Sequence, residues 1–244
     1  MKEKIIIKMR AYDIYIFLFI SLIVQMYSIK YVGVNYYLVY FLDGIELKGS
    51  LSYTSFGLFV WATPIYFILQ VFSGKIKSML NGYGSILIYR NYNKIKLLII
   101  IIKNILVEMF FIILLQLMIF SVFNLTFIKI KQLILIIILY YLTFIVLIFI
   151  QLLLEMFVDP TVATILVCIY IIISVYFGDL CVIFNSPKWI NYLFVPNYAM
   201  AFRNGLIPNQ PHLVSYNIAL VILILLTAGL VFLLHNQIKK RDII

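Results

Sequence analysis

Charge is what this sequence has least of. Only 11% of its 244 residues are Asp, Glu, Lys or Arg, while 65% are hydrophobic and the mean hydropathy is +1.12. Soluble domains carry about 25% charged and about 45–50% apolar residues, so a soluble domain is excluded and the burial must be in lipid. Cysteine is nearly absent. Cys168 lies inside an apolar run and Cys181 just after one; two are too few for a disulfide framework, and they lack metal-ligand spacing. The two histidines, His212 and His235, cannot form an HExxH pair. "SGKIKS" holds Gly74-Lys75 without the upstream glycine or the following Ser/Thr of a phosphate-binding loop. In "GYGS" the serine follows the glycine pair instead of standing between two glycines, so it is no nucleophile elbow. No enzymatic activity, no metal and no directly bound cofactor is expected. Nor is a cleavable leader: "QMYSIKYVGVNYY" behind the first apolar run holds no small-residue cleavage site.

What is present is a series of long Ile, Leu and Phe runs. A bilayer core of ~30 Å takes about 20 residues of helix. Six stretches qualify: roughly 12–29, 56–73, 97–123, 132–157, 161–178 and 214–235. Solid apolar runs without alternation point to helices and not to a barrel. The expected fold is an all-α integral membrane protein, with six transmembrane helices forming a single domain over 1–244. Pro64 falls inside the second span and should disturb it.

Lys and Arg set the orientation. With the N-terminus inside, thirteen of the 19 basic residues lie on or near the cytoplasmic face, from Lys2, Lys4, Lys8 and Arg10 to Lys239, Lys240 and Arg241. Six remain outside: Lys30, Lys48, Lys129, Lys131, Lys188 and Arg203. Both termini are therefore expected to be cytoplasmic. The net charge of +10 is explained by basic collars against anionic headgroups. Membrane lipid, and not nucleic acid, is the partner this implies.

Few polar residues interrupt the spans. Asn104 and Glu108 are four apart and share a helix face, as do Gln151 and Glu155, with Gln116 between the two pairs. Intramembrane charge faces protein or water. These residues either line a pathway near its cytoplasmic entrance or bond neighbouring helices.

Between the fifth and sixth runs, "NSPKWINYLFVPNYAMAFRNGLIPNQPHLVSYN" carries four of the chain's six prolines. It is too apolar for a solvated loop, and its pieces are too short to span. Short re-entrant or interfacial helices on the outer leaflet are expected, involving Trp189, Pro196, Tyr198 and Phe202, with Arg203 ending one near the headgroups.

The stretch "GYGSILIYRNYNKIK" between the second and third runs is more polar than a helix end needs. Gly82 and Gly84 allow a sharp turn; Ile86, Leu87 and Tyr89 offer apolar anchors; Arg90 and Lys94 can pair with acidic groups. It is either a basic collar on lipid or a docking surface. Together with the order of spans, it resembles the permease subunits of type-2 ABC transporters, a six-span family that includes bacitracin and lantibiotic-immunity permeases and other peptide exporters. The likeness rests on Gly84, Arg90, Lys94 and Lys103 and on the "KKRD" ending, Lys239 to Asp242. The family's frequent acidic residue before the glycine is absent, with Asn81 and Gly82 in its place.

The resemblance implies that the loop forms a short coupling helix docked on a separate ABC ATPase subunit, which binds ATP and Mg. It also implies that two permease chains pair, as a homodimer or with a similar chain, in a bacterial plasma membrane. The pair would move amphipathic or antimicrobial peptides, or other hydrophobic compounds, out of the membrane or cell. The alternative is a non-transporting immunity or sensor protein that binds a membrane-active peptide.

Overall fold

Isoleucine favours strands in soluble sheets, yet the Ile-rich runs here are helical, because lipid offers no water to satisfy an open backbone. The computed structural model describes residues 2–32, 39–47, 51–81, 93–123, 130–184, 186–207 and 211–240, and among them there is no strand. In chain order come α1 (Lys2–Val32), the single turn α2 (Tyr40–Asp43), α3 (Leu51–Phe72), α4 (Lys75–Asn81), α5 (Lys94–Phe123), α6 (Ile130–Leu154) and α7 (Pro160–Ile183). Two 3-10 turns, Lys188–Leu193 and Val195–Ala199, precede α8 (Tyr216–Lys240). Five helical stretches are long and apolar enough to cross a bilayer: α5 to α8, and Gly57–Met79 through α3 and α4. The chain is an all-helical, multi-pass membrane protein. The apolar stretch of α1, Asp13–Ser28, is shorter.

Two boundaries differ from the sequence expectation in ways that matter. The fourth run was expected to reach 157, but α6 stops at Leu154, and Pro160 opens α7 where its missing N–H needs no partner. Glu155 thus leaves the span and joins the α6–α7 turn. The fifth run was expected to end at 178, whereas α7 continues to Ile183 and takes Asp179 into the helix.

The core is centred on α6, whose residues Thr143 to Phe149 are all buried. It packs against α5, α7, α8 and the second 3-10 turn, while α1 packs on α3 and α3 on α7. In the most apolar window of α6, 56% is buried, against 17% in α8. Ile218, Val221, Leu225 and Phe232 of α8 are exposed, which acyl chains tolerate and water would not. The turn α2 is wedged into the bundle: Phe41 lies 4.9 Å from Phe120 and 5.5 Å from Tyr140, ring centre to ring centre. Trp61 donates its indole N–H to the Phe41 carbonyl at 3.0 Å.

Pro64 lies within α3. It has no N–H to offer the carbonyl of Val60, and Gln25 of α1 donates its Nε2 to that oxygen at 3.3 Å. A polar residue inside a span thereby satisfies a backbone group that proline left open. Gly74, Glu155 and Asp159 gather where α3 and α6 finish and α7 begins. The contacts of Asp43, Asp179 and Arg203 lie at the opposite end of α7.

Candidate functional site

At the first end the chain must leave α3 and turn. Gly74 does so at φ +79°, a region that suits glycine. Its N–H donates to Glu155 Oε1 at 2.8 Å. One turn earlier in α6, the buried Gln151 points Nε2 at three oxygens: Leu69 O at 3.2 Å, Glu155 Oε1 at 3.3 Å and Thr164 Oγ1 at 3.1 Å. Thr164 also lies 3.4 Å from the Ser73 hydroxyl. Helices α3, α6 and α7 therefore meet in a single polar joint.

Burial raises the Glu155 pKa, opposed by the N–H of Gly74, by Gln151, by the N–H of Ile76 and by the charge of Lys77. On the outside of the joint, Lys77 pairs with Asp159. Its hydrogen bond and its charge hold that carboxyl below the usual range. Lys75 turns the other way: its ammonium lies 4.7 Å from the centre of the Phe72 ring and pairs with Glu108 of α5. Helix α4 is thus tied to α5, to the end of α6 and to the α6–α7 turn.

Of the five polar residues singled out in the spans, only Gln151 and Glu155 come together. Glu108 meets Lys75, Gln116 donates to the Tyr140 hydroxyl at 3.4 Å, and Asn104 is exposed. Gly84, Ile86, Leu87, Tyr89 and Arg90 lie outside the described residues. Lys94 opens α5, half-buried.

The opposite end is built on Arg203. Arg203, expected to end a short helix near the headgroups, has its side chain fully buried in protein, 0% exposed. Four acceptors account for the burial. Nη2 donates to Asp179 Oδ1 at 2.8 Å, Nη1 to Val175 O at 3.0 Å and Asn197 Oδ1 at 3.2 Å, and Nε to Ile45 O at 3.0 Å. The Asn197 amide in turn donates to Ser174 O at 3.0 Å. A guanidinium can be buried only when paired and hydrogen-bonded in this way. Burial pulls its pKa down to about 10 against the opposing effect of Asp179, which leaves it charged at neutral pH.

Two glycines make the space. A Cβ on Gly178 would stand 2.9 Å from Arg203 Nη1 and 2.8 Å from Leu213 Cδ1. Gly44 has φ +71°, and a side chain there would run into Met200. The backbone bonds Ala201 N to Leu42 O (2.8 Å) and Phe202 N to Asp43 O (3.1 Å) lock the two segments together. Pro196, Tyr198 and Phe202 are buried with Arg203, whereas Trp189 is 66% exposed. Val195 to Arg203 is therefore part of the packed body and does not lie out on lipid. Asp179 and Asn197 went unrecognised in the sequence. The signal was there in part: an acid after Gly178 at the end of an apolar run, and a lone Arg in "YAMAFRNG".

Residues 18–244 match a family model described as "Protein of unknown function (DUF2705)". The chain belongs to this family. A similar protein is "Uncharacterized protein YybK" of Bacillus subtilis (strain 168), 27% identical over 215 residues that cover 84% of this chain and 86% of the relative. No solved structure matches. The DUF2705 match takes in the Gly74–Glu155 joint and the Arg203 cluster alike.

Proposed function

We propose that this DUF2705 chain is the transmembrane permease subunit of an ATP-driven exporter of amphipathic peptides or other hydrophobic compounds. In this reading α1 crosses the bilayer beside the five longer spans, giving six. Both termini and α4 face the cytoplasm of a bacterial cell, in keeping with Lys75, Lys77, Lys94, Lys239 and Lys240 at that end. A second copy, or a similar permease chain, completes the pathway.

The observation that carries the reading is the joint around α4. A partner pushing on a loop can move a bundle only if the loop is stiffly connected to it. Helix α4 leads into residues 82–92 and is held by the Gly74–Glu155 hydrogen bond and the Lys77–Asp159 and Lys75–Glu108 pairs. Force applied at 82–92 would therefore reach α5, α6 and α7. ATP and Mg belong to the partner, since this sequence holds no phosphate-binding loop.

The test is Arg90→Glu with Lys94→Glu. Both charges lie outside the hydrocarbon in this topology, so protein level and helicity should stay unchanged. Association with the ATPase should be lost, because like charges then face its acidic groups. Unchanged association would reduce the stretch to a lipid collar. Protection against a membrane-active peptide without any ATPase would favour a non-transporting immunity protein.

A further inference from the structure

A groove of about 570 Å³ runs between α1 and α5, lined among others by Tyr15, Phe19, Glu108, Phe111, Leu115 and Met118. Its walls are apolar and open: Phe19 is 46%, Phe111 62% and Met118 64% exposed. In a chain that crosses the bilayer, such a groove is filled by acyl chain. Its polar end sets it apart from an ordinary lipid-facing surface. Glu108 lines it, and the partner of Glu108, Lys75, stands just beyond the end of α3, where the apolar run gives way to the basic end.

The two side chains are 24% and 37% exposed, so neither charge is sealed inside protein. Their mutual bond uses one of three ammonium N–H donors and one carboxylate oxygen. The remaining N–H donors and the second carboxylate oxygen are partly exposed and can meet a lipid headgroup.

We propose that this groove is a binding site for an aminophospholipid, a lipid whose headgroup carries both a phosphate and a primary ammonium. Its acyl chain lies along Phe19, Phe111 and Met118, its phosphate meets Lys75, and its ammonium meets Glu108. Charge decides among headgroups. An anionic lipid would set a second negative charge against Glu108, and a cationic amphiphile a second positive charge against Lys75. A zwitterion satisfies both and leaves the site neutral. A primary ammonium donates hydrogen bonds to the carboxylate, which a quaternary one cannot. The site requires only that the chain spans the membrane and is independent of any ATPase.

The experiment uses the full chain in nanodiscs of phosphatidylcholine containing minor fractions of phosphatidylethanolamine and phosphatidylglycerol. Lipids retained on the protein are measured by native mass spectrometry. Phosphatidylethanolamine should be retained about five-fold above its bulk share, the order that two exposed ion pairs supply. Glu108→Gln and Lys75→Gln should each bring it back toward the bulk ratio, whereas Asp159→Asn, at the same end but outside the groove, should not. Since those variants alter packing, a second probe leaves the pair intact. In a Phe111→Trp chain, phosphatidylethanolamine with brominated acyl chains should quench the new tryptophan more than brominated phosphatidylcholine does. Retention at the bulk ratio, enrichment of phosphatidylglycerol instead, or equal quenching by both brominated lipids would overturn the assignment.

Discussion

At the scale of single residues, the end of the molecule opposite α4 depends on one buried charge pair and the glycine that admits it. Asp179→Leu leaves Arg203 buried without its carboxylate, and Arg203→Met removes the guanidinium from Asp179; each should cost about 3–5 kcal/mol. The double variant should cost clearly less than the sum, because two apolar side chains need no partner there. Unfolding in mixed detergent micelles measures all three, and additive losses would contradict the pairing. Glu155 supplies a pH test. Burial raises its folded pKa, so its contribution to stability is full below the ordinary carboxylate pKa and fades as pH rises through the raised value. Acidification from neutral pH should therefore tighten the α4 joint, and Glu155→Gln should flatten that dependence. Asp159, whose pKa Lys77 lowers, acts in the opposite sense and only in more acidic solution. Parallel stability–pH curves for the wild type and Glu155→Gln would rule the effect out. The Gln151–Glu155 contact was legible from spacing, because four residues make one helical turn. The Asp179–Arg203 pair was not: its members are 24 residues apart on different elements, and no local period records such a meeting.

At the scale of elements, the long helices were legible because bilayer thickness dictates their length and composition. Their ends were less so. The turn at Glu155 and the extension of α7 to Ile183 are set by Pro160 and by the partner waiting for Asp179, neither of which shows in hydropathy. From its apolar content and its prolines, the segment between α7 and α8 reads as short re-entrant or interfacial helices on the outer leaflet. Two short 3-10 turns stand there, and residues 195–203 pack on α6 and α7, with Arg203 taking carbonyls from Ile45 and from Val175 of α7. This gives a labelling prediction. In a chain lacking Cys168 and Cys181, cysteine at Tyr198 should resist an impermeant thiol reagent from both sides. Cysteine at the exposed His212 should react from outside only. Reaction of His212→Cys from the cytoplasm alone would invert the proposed topology, and the docking role of the α4–α5 connection would fall with it.

At the scale of the whole molecule, composition was enough to read a multi-pass membrane protein, because 65% hydrophobic residues cannot be covered by so little charge in water. The activity was less legible, since an exporter's energy source and half of its pathway would reside in other chains. What this chain contributes to the reading is mechanical: a basic connection whose leading helix is fastened by Glu155, Asp159 and Glu108 to three spans. The most direct measurement is to isolate the full-length protein from its native membrane in mild detergent after crosslinking, and to identify what is held with it by mass spectrometry. The account predicts an ATPase carrying a GxxxxGK[ST] loop, crosslinked to this chain within residues 84–94, together with a second permease chain. Recovery of the chain free of any ATPase, with export of its substrate intact, would contradict it.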